Sequence, residues 1–180
     1  MKWLLAGAML VAAAGCATPP AAPRLYDFGG GSRTGTLPAL AALSVRAAPP
    51  FDRPELWYRL AYRDAHELAA YSASRWAAPP PELLRREIAR TSSPGAGRCA
   101  LEVEIQEFTQ VFSERAASEA RIEVRAARAV PGRGRELRGF TASAPASGAD
   151  AAGGVAAFRR ASETLVAELG DWLRADPACR

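Results

Sequence analysis

Seven residues near the C-terminal end, Ala151, Val155, Phe158, Ser162, Leu165, Leu169 and Trp172, fall on alternating steps of four and three. Those steps put them on one face of an α-helix, which closes at Asp176-Pro177 because proline cannot continue it. A helix with one apolar stripe has to bury that stripe, and the segments before it supply a partner of the other periodicity. Leu101, Val103 and Ile105 alternate with Glu102, Glu104 and Gln106, which predicts a strand with one wet face. The phase then slips, since Phe108 and Phe112 stand on even numbers, so a bulge is expected at Gln106-Glu107. Ile122, Val124 and Ala126 alternate against Arg121, Glu123 and Arg125, and Pro131-Gly132-Arg133-Gly134 forms a hairpin turn into a strand over 137–142. Opposite charges on the outer faces can pair across these strands. Ser147-Gly148-Ala149-Asp150 fits a capping box in front of the final helix.

The first half of the domain is read the same way. Leu40, Leu43 and Val45 lie in a strand that ends at Ala48-Pro49-Pro50. The aromatic-rich run from Leu56 to Arg63 is a second strand, and Glu67 to Tyr71 a weaker third, after a turn at Asp64-Ala65-His66. Pro79-Pro80-Pro81 opens a helix, because the first turn has no use for the missing N–H. Leu84 and Ile88 share its inner face, Glu82, Arg85 and Arg86 lie outside, and the Ser/Pro/Gly stretch 92–97 stops it. The expected fold is therefore α+β: a mostly antiparallel sheet of about five to six strands with two helices packed on one face, over residues 38–180.

What precedes this domain has a different composition. Met1-Lys2 is a short basic start, and Trp3 to Ala14 is uncharged and apolar. That run falls short of the roughly 20 residues needed to span a bilayer and matches the core of a secretory signal peptide over 1–15. Ala13-Ala14-Gly15-Cys16 follows and is similar to a lipobox, with Ala13 where Leu or Val is commoner. Cleavage before Cys16 would leave that cysteine lipidated; the alternative is an ordinary secretory signal with Cys16 a spare thiol. Residues 16–37 make a tether. Thr18 to Pro23 is a semi-rigid spacer and Gly29-Gly30-Gly31-Ser32 a flexible one, and Leu25 to Phe28 between them can dock as a short edge strand. Lipidation of Cys16 leaves Cys99 and Cys179 as an even pair. An oxidising compartment permits a bridge between them, with two separate buried thiols as the alternative.

Charge and motif content exclude several functions. The chain of 180 residues carries a formal charge of +4, and apart from Lys2 its basic residues are arginines dispersed among acids. Such a mixed surface does not make a polyanion-binding stripe, so nucleic acid is not an expected partner. His66 is the only histidine and lies in an expected surface turn, with no Gly-x-Ser-x-Gly elbow to serve it. One histidine and two distant cysteines make a poor zinc set, and the Gly29 to Gly31 run lacks the strand and lysine of a phosphate loop. Glu102 and Glu104 are better explained as a wet sheet face than as an acid–base pair. The sequence thus points away from an enzyme, a metal site or a cofactor.

An ordered set of short features carries a family resemblance. Trp57-Tyr58-Arg59-Leu60-Ala61-Tyr62 is followed by Tyr71, by Ser74-Arg75-Trp76-Ala77-Ala78-Pro79-Pro80 and by Leu83-Leu84. The run Leu101 to Phe112, Gly139-Phe140 and Asp150 to Val155 complete it. From about Tyr26 onward the chain resembles the ABC-type transport auxiliary lipoproteins, the family of the paraquat-inducible lipoprotein C. It departs from them in its Ala-rich elements and in His66-Glu67. The resemblance implies lipid trafficking between inner and outer membranes, beside an ABC transporter and a substrate-binding protein of the mammalian-cell-entry (MCE) type. The lipoprotein would be the outer-membrane end of that bridge, and Ala17 after Cys16 fits outer-membrane sorting. On this reading it is a docking part whose partners are the periplasmic MCE-type protein and the outer membrane, with phospholipid and a second copy of the chain as further candidates. The aromatic candidates for partner binding are Trp57, Tyr58, Tyr62 and Trp76, each with core packing as the competing explanation. A structural lipoprotein of another outer-membrane machine and a lipid-binding carrier are the alternatives.

Overall fold

The computed structural model describes residues 21–30 and 37–179. The signal peptide, Cys16, Gly31 and Ser32 lie outside the described residues. The central element is β5 (Cys99–Phe112), whose fourteen residues carry the alternation noted above. Its register against β6 (Ser118–Val130) shifts between Ile105 and Glu107. The inward set accordingly changes from Leu101, Val103 and Ile105 to Phe108 and Phe112, all buried. The turn at Pro131 to Arg133 leads into β7 (Gly134–Pro145), antiparallel to β6 along its whole length. Gly132 at φ 77° supplies the left-handed backbone that this turn requires.

The other side of β5 differs from the expected antiparallel arrangement. β2 (Leu40–Ala47) pairs parallel with residues 99–105, and β3 (Glu55–Arg59) pairs parallel with residues 109–111. The two therefore run end to end along one edge of β5, and the β5 bulge lies where one neighbour gives way to the other. The break between them holds Pro49, Pro50 and Pro54, which cannot donate to a ladder. β4 (Ala69–Trp76) begins later than the sequence suggests and pairs antiparallel with β3; β1 (Arg24–Tyr26) adds parallel to β4 at the outer edge. The sheet has seven strands with mixed pairing in place of five or six mostly antiparallel ones.

Both helices pack against one apolar core. Helix α1 (Pro80–Thr91) begins with proline at its first position and buries Leu83, Leu84 and Ile88, while Arg85 and Arg86 stay outside. Helix α2 (Ala151–Ala175) buries the predicted stripe except Val155, which is half-buried, and lies over β6 and β7. Its N-cap is Asp150, whose carboxylate accepts the Gly153 N–H at 2.7 Å. Asp150 is thus the cap itself and not the distal member of a Ser147 capping box. Phe158 of α2 stacks on Phe108 of β5 with ring centres 4.4 Å apart, and Trp76 meets both rings edge-on at 5.3 and 5.7 Å. Phe28, just past β1, closes the cluster against Trp76 and Phe108.

Cys99 and Cys179 are bonded, with Cα atoms 5.2 Å apart, so the end of the chain is fixed to the start of β5. The sequence separation is 80 residues, and in the chain-entropy model a closed loop of that size stabilises the fold by about 4.5 kcal/mol. Cys99→Ser should lower the unfolding free energy by up to that amount in denaturant titrations. Phe158→Ala should cost about 3–5 kcal/mol in the same assay, as large aromatic truncations in packed cores do.

Candidate docking surface

Adjacent residues on a strand point to opposite faces, and β3 separates the sequence-predicted aromatics accordingly. Trp57 lies on the open face of the sheet, half-buried, with its indole N–H donating to the Pro50 carbonyl at 3.2 Å. Tyr58 points to the helix side, where its ring meets Tyr71 at 4.7 Å and Phe112 at 6.1 Å. Tyr62, in the turn after β3, is 38% exposed, and its backbone N–H donates to the Phe112 carbonyl. Trp76 is 1% exposed at the centre of the aromatic cluster, so its ring is core and not surface. The four candidates do not form one site. Tyr58 and Tyr62 share one end of the sheet, Trp57 lies on its open face and Trp76 inside it.

Beneath Tyr58 is a buried polar network that hydrophobic patterning does not reveal. The Tyr71 hydroxyl donates to Gln110 Oε1 at 2.9 Å, and Gln110 Nε2 donates to Ser118 Oγ at 2.8 Å and to the Asp150 carbonyl at 3.2 Å. Gln110 is fully buried, and this set of partners satisfies its amide. Gly154 makes the arrangement possible, since a Cβ there would come within 2.1 Å of Gln110 Oε1. Burial, reinforced by the nearby Tyr58 and Asp150, pushes the Tyr71 hydroxyl well above its ordinary value near 10. The network holds the start of α2 to the β5–β6 hairpin, so the Tyr58–Tyr62 end of the molecule is rigid.

The open sheet face is charged and internally paired. Arg46 binds Glu104 and Arg135 binds Glu102, both at 2.7 Å, and Arg59 binds Glu107 at 3.1 Å. Glu102 and Glu104 are thereby parts of cross-strand ion pairs, which accounts for their alternation without catalysis. His66 is exposed in its turn, and its backbone N–H donates to Asp64 Oδ1. A cleft of about 410 Å³ lies between the segment 27–30 and α1, with Phe28 and Leu83 at its base and Arg85, Arg86 and Arg90 around it. Arg85 and Arg86 share Glu82, whose carboxyl they hold down to about 2. Among the described residues there is no cluster of His, Cys, Asp and Glu that could hold a metal ion, and no helix is long and apolar enough to cross a membrane.

No protein-family model and no curated protein matches the chain. Solved structures do share its fold. A protein from Xanthomonas campestris, assigned to the family DUF330, superimposes with a TM-score of 0.68 at 22% identity, over 82% of this chain and 93% of its own. An uncharacterised protein reaches 0.68 at 12% identity, over 84% and 99%. At these identities the likeness establishes the α+β architecture with its two helices and mixed sheet.

Two measurements test the buried network. Gly154→Ala should destabilise the protein by about 1–3 kcal/mol through overpacking against Gln110. Most of that cost should vanish in a Gln110→Ala background, a coupling that a double-mutant cycle in denaturant reads directly. Tyr71 keeps its proton in the folded protein at pH values where the unfolded chain releases it. Stability linked to Tyr71 is therefore full below pH ~10 and falls as pH rises above it. Tyr71→Phe should make the unfolding midpoint less sensitive to pH in that alkaline range.

Proposed function

We propose that the protein is a lipoprotein anchored to the outer membrane through Cys16, and that it serves an ABC-type, MCE-linked intermembrane lipid transport system as its docking part. The observation that carries this reading is the lipobox Ala13-Ala14-Gly15-Cys16 standing immediately before a Pro-rich tether and the ordered aromatic motifs of one α+β domain. Acylation of Cys16 by more than one chain would make a stable anchor, since each buried CH₂ adds roughly 0.8 kcal/mol. The tether is short. Arg24, the first residue of β1, stands eight positions after Cys16, a reach of at most about 27 Å for an extended chain. That holds the β1 side of the domain near the membrane and leaves the remaining surface to meet a periplasmic partner.

The rigid end carrying Tyr58 and Tyr62 is the surface best suited to that partner. Aromatic side chains on a fixed backbone lose little freedom on binding and contribute large contact areas. The protein acts by docking, with Glu102, Glu104 and Glu107 of β5 committed to arginines. A lipid-binding carrier finds support in one place only, the arginine-rimmed cleft between residues 27–30 and α1.

A crosslinked pull-down of the tagged full-length lipoprotein from detergent-solubilised envelopes tests the proposal. Recovery of an MCE-type protein is expected, and Tyr62→Ala should reduce it several-fold with the protein level unchanged. Recovery of a different outer-membrane assembly would overturn the transport role. Phospholipid recovered without any protein partner would favour the carrier.

A further inference from the structure

Three strands of the sheet have an unpaired edge, and they are unlike. β1 has three residues and β2 eight, with a register shift against β5, whereas β7 has twelve, in unbroken register with β6. Stable monomers normally blunt a long open edge by shortening it, bulging it, or placing proline or charges of one sign within it; the charges of β7 (Arg135, Glu136 and Arg138) are of both signs. β7 has no register shift, and its one proline, Pro145, stands at its end. The groups it turns outward can be assigned. The Ala146 N–H donates to the Ser118 carbonyl at 2.8 Å, next to the Glu119–Pro145 pair. Antiparallel strands bond at every second residue. Even-numbered residues of β7 therefore bond to β6, and Arg135, Leu137, Gly139, Thr141 and Ser143 turn N–H and C=O away from it. Arg160 caps the Pro145 carbonyl, which leaves residues 135–143 as the usable edge.

We propose that this edge pairs antiparallel with the same edge of a second copy of the chain, about a two-fold axis at Leu137. The strand's own charges select that register. An axis at Arg135 would set this arginine against itself, and an axis at Gly139 or Thr141 would set Arg138 opposite Phe140 or Ala144. An axis at Leu137 sets Glu136 opposite Arg138 of the second copy and Arg138 opposite its Glu136, with Arg135 opposite Gly139. It also covers Leu137, which is 57% exposed, with its own counterpart. Arg138 makes no ion pair among the described residues, its guanidinium lying over the Phe140 ring. Glu136 already accepts from Arg128 and Trp172, yet its side chain is 56% exposed and has acceptor sites to spare. On the helix side, an open cleft of about 460 Å³ beside Arg138, Phe140 and Trp172 leaves room for incoming side chains. Such an interface is isologous and closes at two copies, so the open edge is satisfied without growing into a fibre.

Cysteine substitutions in the full-length protein, oxidised mildly in its own membranes, test both the partner and the register. Directly opposed residues of a bonded pair have Cα atoms about 5.5 Å apart, within disulfide reach. Leu137→Cys should yield a covalent dimer. Arg135→Cys and Gly139→Cys should each stay monomeric alone and link when co-expressed. All three positions are exposed, and a side chain at Gly139 meets nothing within 4 Å; mass spectrometry of the intact Cys99–Cys179 bond checks the fold. Arg138→Glu added to Leu137→Cys should cut the dimer about tenfold, because both cross-strand pairs become repulsive. A monomeric Leu137→Cys protein at normal abundance would overturn the proposal. So would equal cross-linking by Arg135→Cys alone, or linkage of Leu137→Cys to a different protein. This inference does not depend on the transport role.

Discussion

The contact on which the rest of the structure depends is the seat of Phe158 on Phe108. It lies where α2 crosses the sheet, just past the β5 bulge, and its near-parallel rings are flanked by Trp76 from β4 and Phe28 from the segment after β1. Four separate parts of the chain thus bury aromatic side chains against one another. Without the bulge, Phe108 would point to the open face and α2 would lack its central partner. One extra residue in β5 therefore aligns the second half of that strand with the helix. It also allows two short strands, β2 and β3, to share one edge of a long one.

Much of this was legible in the sequence, for identifiable reasons. The stripe from Ala151 to Trp172, the bulge near Gln106-Glu107, the Pro131–Gly134 turn and the proline-led first helix each follow from local periodicity or backbone restriction. Pairing direction did not follow. Alternation reports which face a residue takes but is silent on whether its neighbour runs parallel, so β2 and β3 beside β5 read as members of an antiparallel sheet. Trp76 was ambiguous for a related reason. A tryptophan before Ala77-Ala78-Pro79 ends a strand, and only the tertiary fold shows that Phe28, Phe108 and Phe158 close over it. The Tyr71–Gln110–Asp150 network was invisible because its members lie on three elements and share no spacing.

The C-terminal end of α2 is secured as firmly as its start. Arg128 donates to the Trp172 carbonyl at 2.6 Å, lies 5.0 Å over the Trp172 ring and binds Glu136, which in turn accepts the Trp172 indole N–H. The Cys99–Cys179 bond then ties the residues after the helix to the beginning of β5. A mostly buried charged and aromatic cluster, in which only Glu136 is exposed, and one covalent link thus accomplish at this end what a buried amide network accomplishes at the other. With both ends held, α2 cannot slide along β6 and β7, and the edge of β7 keeps a fixed shape.

That rigidity bears on recognition under the proposed membrane anchorage. A domain linked to a membrane by a few residues meets partners within a thin layer, so its encounters are frequent and its orientations few. Affinity then depends less on total contact area than on surfaces already shaped for contact. Two surfaces of this molecule meet that condition. One is the end of the sheet at Tyr58 and Tyr62, stiffened from beneath by Gln110. The other is the β7 edge, held in place by β6 and by α2. They involve different strands and lie on opposite sides of β5, so occupation of one leaves the other open. A protein built this way can pair with its own copy and still present a docking end to something else.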